Sequence, residues 1–246
     1  FRKNITINAQ NSGTLGRLIL GLLINSPYPI KLIGDKSLSK RDFKRISDPL
    51  SKFGSKFKLR DKKNLPLTLY GSNNLKPIKY FENKGSAQCK SSVIFGAMRT
   101  NGTTYIKAKK SRNHSELLCK YLNLPIKIKT TKNYDLIEVK KVKKIKTLNY
   151  KIPSDISSSS FFIVLTALSK NSKILIKNVN INPSRTGIIT ILKKMGVKII
   201  LKNKKIYKGE KISDIQVCSS RSLKSINCPT KLNSSAIDEF LIIFLV

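Results

Sequence analysis

The 246-residue sequence contains 49 Lys and Arg residues against 13 Asp and Glu residues, a formal net charge of +36 at neutral pH. A charge of this size suits anionic partners, but the basic residues are scattered along the chain instead of forming a tail. Because the sequence is also rich in Asn, Ile and Ser and contains no Trp, we attribute most of the charge to compositional drift and a smaller part to small anionic substrates. No apolar run reaches the length of a membrane span, so we expect no membrane partner.

Cysteine and histidine patterns argue against a metal centre. The four cysteines form no C-x-x-C pair, and the sequence contains a single histidine, His114. A zinc site normally needs such ligands at close spacing. Scattered free cysteines are typical of the reducing cytoplasm, where we expect this protein to be located.

The apolar pattern predicts three rounds of the same elements, in the order helix, strand, helix, strand, strand. The first round is predicted at residues 13–24, 29–33, 39–54, 56–59 and 66–70. The second is predicted at residues 86–98, 103–108, 111–122, 126–130 and 134–139. The third is predicted at residues 155–168, 173–179, 184–196, 197–201 and 205–207. A fourth round would begin with a helix at residues 233–246.

These rounds indicate an α/β protein built from repeated units. Each complete round places a Ser and an Arg at the start of its second helix, which is hard to obtain by chance. One unit cannot bury both faces of its sheet alone, so copies are expected to pack around a shared core. Residues 140–151 are rich in lysine and lack an apolar period, so we predict a domain boundary there. The predicted domains are residues 1–148, with about two units, and residues 149–246, with one unit and the start of the next.

Residues 11–18, with the sequence NSGTLGRL, place a small flexible turn directly before an apolar helix. Asn11, Ser12 and Thr14 are good N-cap residues, and Gly13 lets a ligand approach the backbone because it has no Cβ. Free N–H groups at a helix start favour anions. A capped core helix explains this octet equally well when it is taken alone.

Six motifs in order strengthen the case for a specific family. They are residues 11–14 with Arg17, 34–41 (GDKSLSKR), 86–91 (SAQCKS), 111–116 (SRNHSE), 182–187 (NPSRTG) and 237–239 (IDE). In these motifs and in the repeated βαβαββ unit, the sequence resembles the 5-enolpyruvylshikimate-3-phosphate synthase family of enolpyruvyl transferases. The resemblance extends over nearly the whole chain.

The resemblance implies a two-domain enolpyruvyl transferase with the inside-out α/β barrel fold, present here incompletely, whose domains close over substrates at a cleft. The implied reaction transfers the enolpyruvyl group of phosphoenolpyruvate to a hydroxyl of shikimate 3-phosphate and releases phosphate, in the shikimate pathway to aromatic amino acids. No metal or organic cofactor is implied. We expect a monomer, and we expect the helix starts at residues 11–14, 86–88 and 111–112 to face one cleft.

The family resemblance also assigns the site residues. Arginine suits these substrates because its planar guanidinium group binds phosphate and carboxylate in bidentate geometry. The implied phosphoenolpyruvate-binding residues are Asn11, Gly13, Arg41 and Gln88. The implied shikimate 3-phosphate-binding residues are Ser86, Ala87, Gln88, Arg112 and Asp238, with Asp238 also the catalytic general base. His114 is assigned a structural role. Arg185 is expected to help hold the second domain or its own helix start, outside the site.

Some features depart from the family pattern. Asp42 stands where the family usually has Pro, and Ser154 where it usually has Gly, both beside the motifs. The sequence begins with Phe1 and ends inside an apolar run, residues 240–246. It also lacks the family's N-terminal Lys-Ser…Arg motif and its later Lys, Glu and Arg residues. We therefore expect a fragment lacking both ends, which would be inactive alone.

Two alternatives come from other functional classes. The charge and the repeats would also suit a basic RNA-binding protein similar to RNA 3′-phosphate cyclase. Nucleic acid is not the expected partner, since few aromatic residues are placed for base stacking and no RNA-binding signature is present. The second alternative is a non-catalytic scaffold with a degenerate site.

Overall fold

The computed structural model describes residues 5–220 and 222–246. The strands are β1 Ile5–Asn8, β2 Ile30–Ile33, β3 Lys56–Arg60, β4 Asn64–Tyr70, β5 Lys79–Glu82, β6 Thr103–Lys109, β7 Ile126–Thr130, β8 Tyr134–Lys140, β9 Lys173–Asn180, β10 Lys198–Tyr207 and β11 Glu210–Cys218. The α-helices are α1 Gly13–Leu23, α2 Lys44–Ser51, α3 Ala87–Ala97, α4 His114–Tyr121, α5 Ile156–Leu168, α6 Gly187–Lys194, α7 Asn233–Ala236 and α8 Phe240–Ile243. Short 3₁₀ turns occupy Leu38–Lys40 and Thr230–Leu232.

Three sheets with a common topology confirm the predicted repeat within the described residues. The first two have the orders β1-β2-β4-β3 and β5-β6-β8-β7, each with a parallel first pair and antiparallel remaining pairs. The third has the order β10-β11-β9. A single parallel bridge from Ser154 to Val179 stands there in place of the first strand.

The strand predictions fail at several places, each with a physical reason. Strands β1 and β5 were not predicted, because each has four residues, too few to show a clear alternation of apolar and polar side chains. The break predicted before residue 205 is wrong, because β10 continues through a register shift between Lys202 and Lys205, with Asn203 at φ 50°. Such a bulge adds a residue without ending the strand. Strand β11 was missed because its buried positions include Ser213, Asp214 and Gln216, which break the apolar pattern.

Two helix predictions are also corrected. The helix predicted from residue 39 begins at Lys44, because Arg41 adopts an extended conformation that ends the preceding 3₁₀ turn. The Asp42 carboxylate then accepts a hydrogen bond from the Lys44 amide at 2.8 Å. The helix predicted at residues 233–246 is interrupted between α7 and α8, where Glu239 is buried beside Ser157.

The described chain divides into two compact units. Unit 1 comprises Phe1–Ser111 and Leu122–Lys146, and unit 2 comprises Arg112–Tyr121 and Thr147–Val246. The domain boundary at residues 148/149 stays a prediction about the whole protein. No helix in the described ranges combines the length and apolar character needed to cross a bilayer.

Unit 1 is built around the contact between α1 and α3. A Cβ added to Gly21 of α1 would lie 2.1 Å from the carbonyl oxygen of Ser92 in α3, so the two helix backbones touch there. Ile24, Leu50 and Phe53 pack around the same helix pair at Gly96 and are completely buried. This contact fixes the start of α1 relative to the start of α3.

Substitution Gly21→Ala is therefore expected to destabilise unit 1. The neighbour is backbone, so the helices must separate, and overpacking of this kind costs about 1–3 kcal/mol. Gly16→Ala is the matched control in the same helix, because its Cβ would meet the Phe43 ring at 3.3 Å, and a side chain can shift. Urea unfolding followed by circular dichroism measures the difference, and a Gly21→Ala variant as stable as the wild type would refute the close contact.

Unit 2 packs α5 and α6 against the third sheet. Its core contains buried aliphatic residues from both helices and from the facing strands, among them Ile163, Val164, Ile188, Ile215 and Val217. Ala236 and Ile243 bring the two short C-terminal helices onto the same core. Residues that follow α7 are thereby held near the start of α5.

Candidate active site

The turn before α1 is fixed by hydrogen bonds. Ser12 caps the helix, with its hydroxyl oxygen accepting from the Leu15 amide at 3.1 Å. The Asn11 amide group donates to Asp35 Oδ2 at 2.6 Å, and Asp35 Oδ1 accepts from the Leu38 amide at 2.7 Å. These hydrogen bonds from Leu38 and Asn11 lower the pKa of Asp35. The turn at residues 11–14 is thus tied to the motif at residues 34–41.

Gly13 lies between two arginine side chains. A Cβ at this position would be 3.3 Å from Arg41 Nη1 and 3.5 Å from Arg17 Nη1. The Arg41 carbonyl oxygen accepts from Asn64 Nδ2 at 3.2 Å, which holds the Arg41 backbone. Gly13 itself is buried, and because it has no side chain both guanidinium groups come close to the start of α1. An anion bound there would meet these two arginines together with the free amides of the helix start.

Arg17 lies in a strongly positive environment. Its Nη1 donates to Gln88 Oε1 at 2.5 Å, while its buried Nε makes no hydrogen bond among the described residues. Burial lowers the Arg17 pKa, and the charges of Arg45 and Arg41 lower it further. A bound anion would relieve both the lost solvation and the repulsion between these arginines.

Gln88 connects the start of α3 to the start of α1. Its Nε2 donates to Thr14 Oγ1 at 2.8 Å, in addition to its bond with Arg17. Ser86 caps α3 by accepting from the Cys89 amide at 3.3 Å, and Ala87 is the first residue of that helix. Two of the three predicted helix starts therefore meet in unit 1. The third predicted helix start, at residues 111–112, is split between the two units, because Ser111 belongs to unit 1 and Arg112 to unit 2. Its place beside the other two stays a prediction.

Unit 2 contains a second charged cluster around Asp238. The Arg112 guanidinium group forms an ion pair with the Asp238 carboxylate. Arg185 Nη2 lies 3.9 Å from Asp238 Oδ2, 3.2 Å from Asp155 Oδ1 and 2.5 Å from Ser157 Oγ. The Asp238 side chain is 45% exposed, so a ligand can reach it.

The neighbours of Asp238 are themselves perturbed acids. Burial opposes ionisation of Asp155, but hydrogen bonds from Ser158 and the charge of Arg185 outweigh it and lower the Asp155 pKa. Glu239 shows the opposite result, since burial raises its pKa despite a hydrogen bond from Ser157. Perturbed pKa values cluster at functional sites, and ion-pair networks such as the one around Arg185 also produce them.

Sequence reasoning missed several members of these clusters as site residues. Arg17 follows Gly13 by one turn of α1, so helical spacing was the available signal for Arg17. Arg41 is extended and precedes α2, so no such spacing linked Arg45 to it. Arg45 Nε donates to Cys89 Sγ at 3.3 Å. Arg185 was expected to hold the second domain or its own helix start, outside the site. Its guanidinium group contacts Asp155, the N-cap residue of α5, and also approaches Asp238.

His114 is the first residue of α4, and its Nδ1 lies 2.5 Å from Oε1 of Glu210. Asn182 links the same region by donating to Asn113 Oδ1 at 2.9 Å. These contacts hold the segment that carries Arg112, as a structural role for His114 requires. Within residues 5–220 and 222–246, no group of three or more His, Cys, Asp or Glu side chains is close enough to hold a metal ion.

Comparison with known proteins identifies the family. A family sequence model described as EPSP synthase (3-phosphoshikimate 1-carboxyvinyltransferase) matches residues 1–244. The chain belongs to the EPSP synthase family. The curated 3-phosphoshikimate 1-carboxyvinyltransferase of Caldicellulosiruptor saccharolyticus is 41% identical over 222 residues, or 89% of this chain and 51% of that protein. The same enzyme of Petrotoga mobilis is 39% identical over 239 residues, or 96% of this chain and 54% of that protein.

A solved EPSP synthase from Acinetobacter baumannii superimposes with a TM-score of 0.84 at 35% identity, covering 98% of this chain and 54% of that one. The predicted fold class, the inside-out α/β barrel of EPSP synthases, is confirmed for the part of the fold that the chain covers. The chain spans about half the length of the EPSP synthases it matches.

Proposed function

We propose that this chain supplies part of the active site of an enzyme that transfers the enolpyruvyl group of phosphoenolpyruvate to shikimate 3-phosphate. Family membership and the names of the relatives support the reaction class. The observation that carries the proposal is the pair of guanidinium groups, those of Arg17 and Arg41, that approach the start of α1 at Gly13. A small substrate with phosphate and carboxylate groups matches that charge.

The phosphoenolpyruvate subsite in this proposal comprises Asn11, Gly13, Arg41 and Gln88, with Arg17 added from the structure. Arg17 and Arg41 would neutralise the phosphate and carboxylate. Gln88 would orient the substrate, because its side chain is already held by Arg17 and Thr14. Arg17, already held by Gln88, would lose little side-chain freedom when the anion arrives.

The shikimate 3-phosphate subsite in this proposal draws on Ser86, Ala87, Gln88, Arg112 and Asp238. The serine hydroxyl and the free amides at the start of α3 are suited to phosphate. Asp238 would accept the proton of the reacting hydroxyl while the hydroxyl oxygen bonds to C2 of phosphoenolpyruvate. C3 takes a proton from solvent in the same addition, the C2=C3 π bond is lost and a tetrahedral intermediate forms. Loss of a proton from C3 then expels phosphate from C2 and re-forms the double bond, which gives the enol ether.

The expectations for cellular location and assembly belong to the same proposal. All four cysteines in the described residues are free thiols, which supports a reducing compartment such as the cytoplasm. We also infer that the protein is a monomer, which size-exclusion chromatography with light scattering would test.

A chimaera tests the proposed function. In it, this chain replaces the stretch of the Petrotoga mobilis enzyme that it matches. We expect the chimaera to release phosphate from phosphoenolpyruvate when shikimate 3-phosphate is present, whereas the 246-residue chain alone releases none. A folded chimaera without this activity would contradict the proposal, and turnover by the chain alone would refute its expected inactivity.

A further inference from the structure

The outward face of the second sheet, β5-β6-β8-β7, carries exposed aromatic rings and lysines together. Strand alternation points Phe81, Tyr105 and Tyr134 away from the core. Phe81 is 50% exposed and Tyr105 is 48% exposed. The face contains an open depression of about 640 Å³. Rings of this size are normally buried in a core or used at a binding surface.

The outward positions of these four strands are strongly basic. Within the described strands they contain one carboxylate, that of Glu138, and six lysines, namely Lys79, Lys107, Lys109, Lys127, Lys129 and Lys140. Register places lysines beside the rings, since Lys79 is opposite Tyr105 and Lys107 is opposite Phe81. Lys107 Nζ lies 5.3 Å from the Phe81 ring centre and 4.6 Å from that of Tyr134.

The first sheet provides an internal comparison. Its outward positions also carry basic residues, including Lys31, Lys56, Lys58 and Arg60. The described outward positions of that sheet include a single aromatic residue, Tyr70, at the end of β4. Charge is therefore common to both faces, and the grouped rings distinguish the second.

We propose that this face of the second sheet, formed by β5, β6, β7 and β8, binds single-stranded nucleic acid. Exposed rings on an open sheet can stack with successive bases, and flanking lysines can neutralise the backbone phosphates. Neighbouring β-strands lie about 4.8 Å apart, so one single-stranded nucleic acid molecule can contact several rings and lysines of this face. The proposal is independent of the proposed enolpyruvyl transfer, which uses other residues.

Charge complementarity and ring placement favour this occupant over an acidic peptide, which offers no bases to stack. Sequence reasoning found few aromatic residues placed for stacking because Phe81, Tyr105 and Tyr134 are far apart along the chain. The sheet brings Phe81 and Tyr134 to 5.8 Å between ring centres.

Fluorescence anisotropy with the 246-residue chain and a labelled oligothymidylate of about 12 nucleotides tests the proposal. We expect salt-dependent binding. The variant Phe81→Leu/Tyr105→Leu should bind at least about 10-fold more weakly with little change in salt dependence, since each stacked base contributes substantially to affinity. Tyr70→Leu on the first sheet should bind like the wild type, and Phe81→Tyr should retain most of the affinity.

A second pair of variants separates the face from general charge. Lys127→Gln/Lys129→Gln should weaken binding and reduce its salt dependence, whereas Lys56→Gln/Lys58→Gln on the first sheet should do so much less. Circular dichroism checks that each variant is folded. The substituted side chains are at outward strand positions and not in the core, so we expect each variant to fold. Absence of binding by the unaltered chain, equal losses on the two sheets, or full affinity in the Phe81→Leu/Tyr105→Leu variant would each overturn the proposal.

Discussion

Substitution Asp238→Asn is expected to lower turnover by about 10²–10⁴-fold, the usual loss when a positioned general base is removed. The change keeps the shape of the side chain and removes the carboxylate that would accept the proton. Arg112 and Arg185 remain in place around it, so shikimate 3-phosphate is expected to stay bound at saturating concentration. The effect should therefore fall on kcat.

Steady-state phosphate release by the chimaera with the Petrotoga mobilis enzyme measures this effect. Asp61→Asn is the matched control, because Asp61 is an exposed carboxylate beside Arg60 at 3.5 Å and belongs to neither cluster. Near-normal kcat in a folded Asp238→Asn chimaera would exclude Asp238 as the essential base.

Substitution Arg41→Gln is expected to raise the KM for phosphoenolpyruvate by about 10- to 100-fold. Losing a hydrogen bond to a charged group costs about 1.5–3 kcal/mol, and each 1.4 kcal/mol changes affinity tenfold. We choose Arg41 because its Nη1 would lie 3.3 Å from a Cβ placed on Gly13, at the start of α1. Arg41→Lys should give an intermediate KM, since it keeps the charge but loses the bidentate geometry.

Initial rates at varied phosphoenolpyruvate and fixed shikimate 3-phosphate separate KM from kcat in the same chimaera. Arg99→Gln serves as the control, since Arg99 is an exposed arginine that donates to the Leu22 carbonyl oxygen at 3.2 Å and has no contact with residues 34–41 among its described hydrogen bonds. An unchanged KM for phosphoenolpyruvate in Arg41→Gln would remove Arg41 from the proposed subsite.

Local sequence signals predicted the repeat well because the relevant interactions are short in range. Ser12 and Ser86 cap the helices that the sequence assigned to them, each accepting from the amide three residues later. The second helix, predicted to end at Gly54, ends at Ser51. Gly54 follows it in a turn at φ 116°, a conformation that glycine tolerates. Caps and turn residues report on their own neighbourhood, so one sequence is enough to find them.

Features that depend on distant residues were not predictable in the same way. The approach of Arg185 to Asp238 joins residues from different elements, and no local pattern encodes it. Strand β11 has polar residues at buried positions because Asp214 accepts from the Asn178 amide at 2.8 Å and from Asn203 Nδ2 at 2.8 Å. Partners of this kind satisfy a buried carboxylate, yet they are visible only once the strands are paired.

Identity of the product tests the central claim most directly. Phosphate release alone would not distinguish transfer from hydrolysis of phosphoenolpyruvate, so the product of the chimaera should be identified by mass spectrometry. We expect shikimate 3-phosphate in which a carboxyvinyl group replaces one hydroxyl hydrogen, formed in equal amount to the phosphate. Pyruvate together with unmodified shikimate 3-phosphate, or no reaction in a folded chimaera, would contradict the proposed transfer.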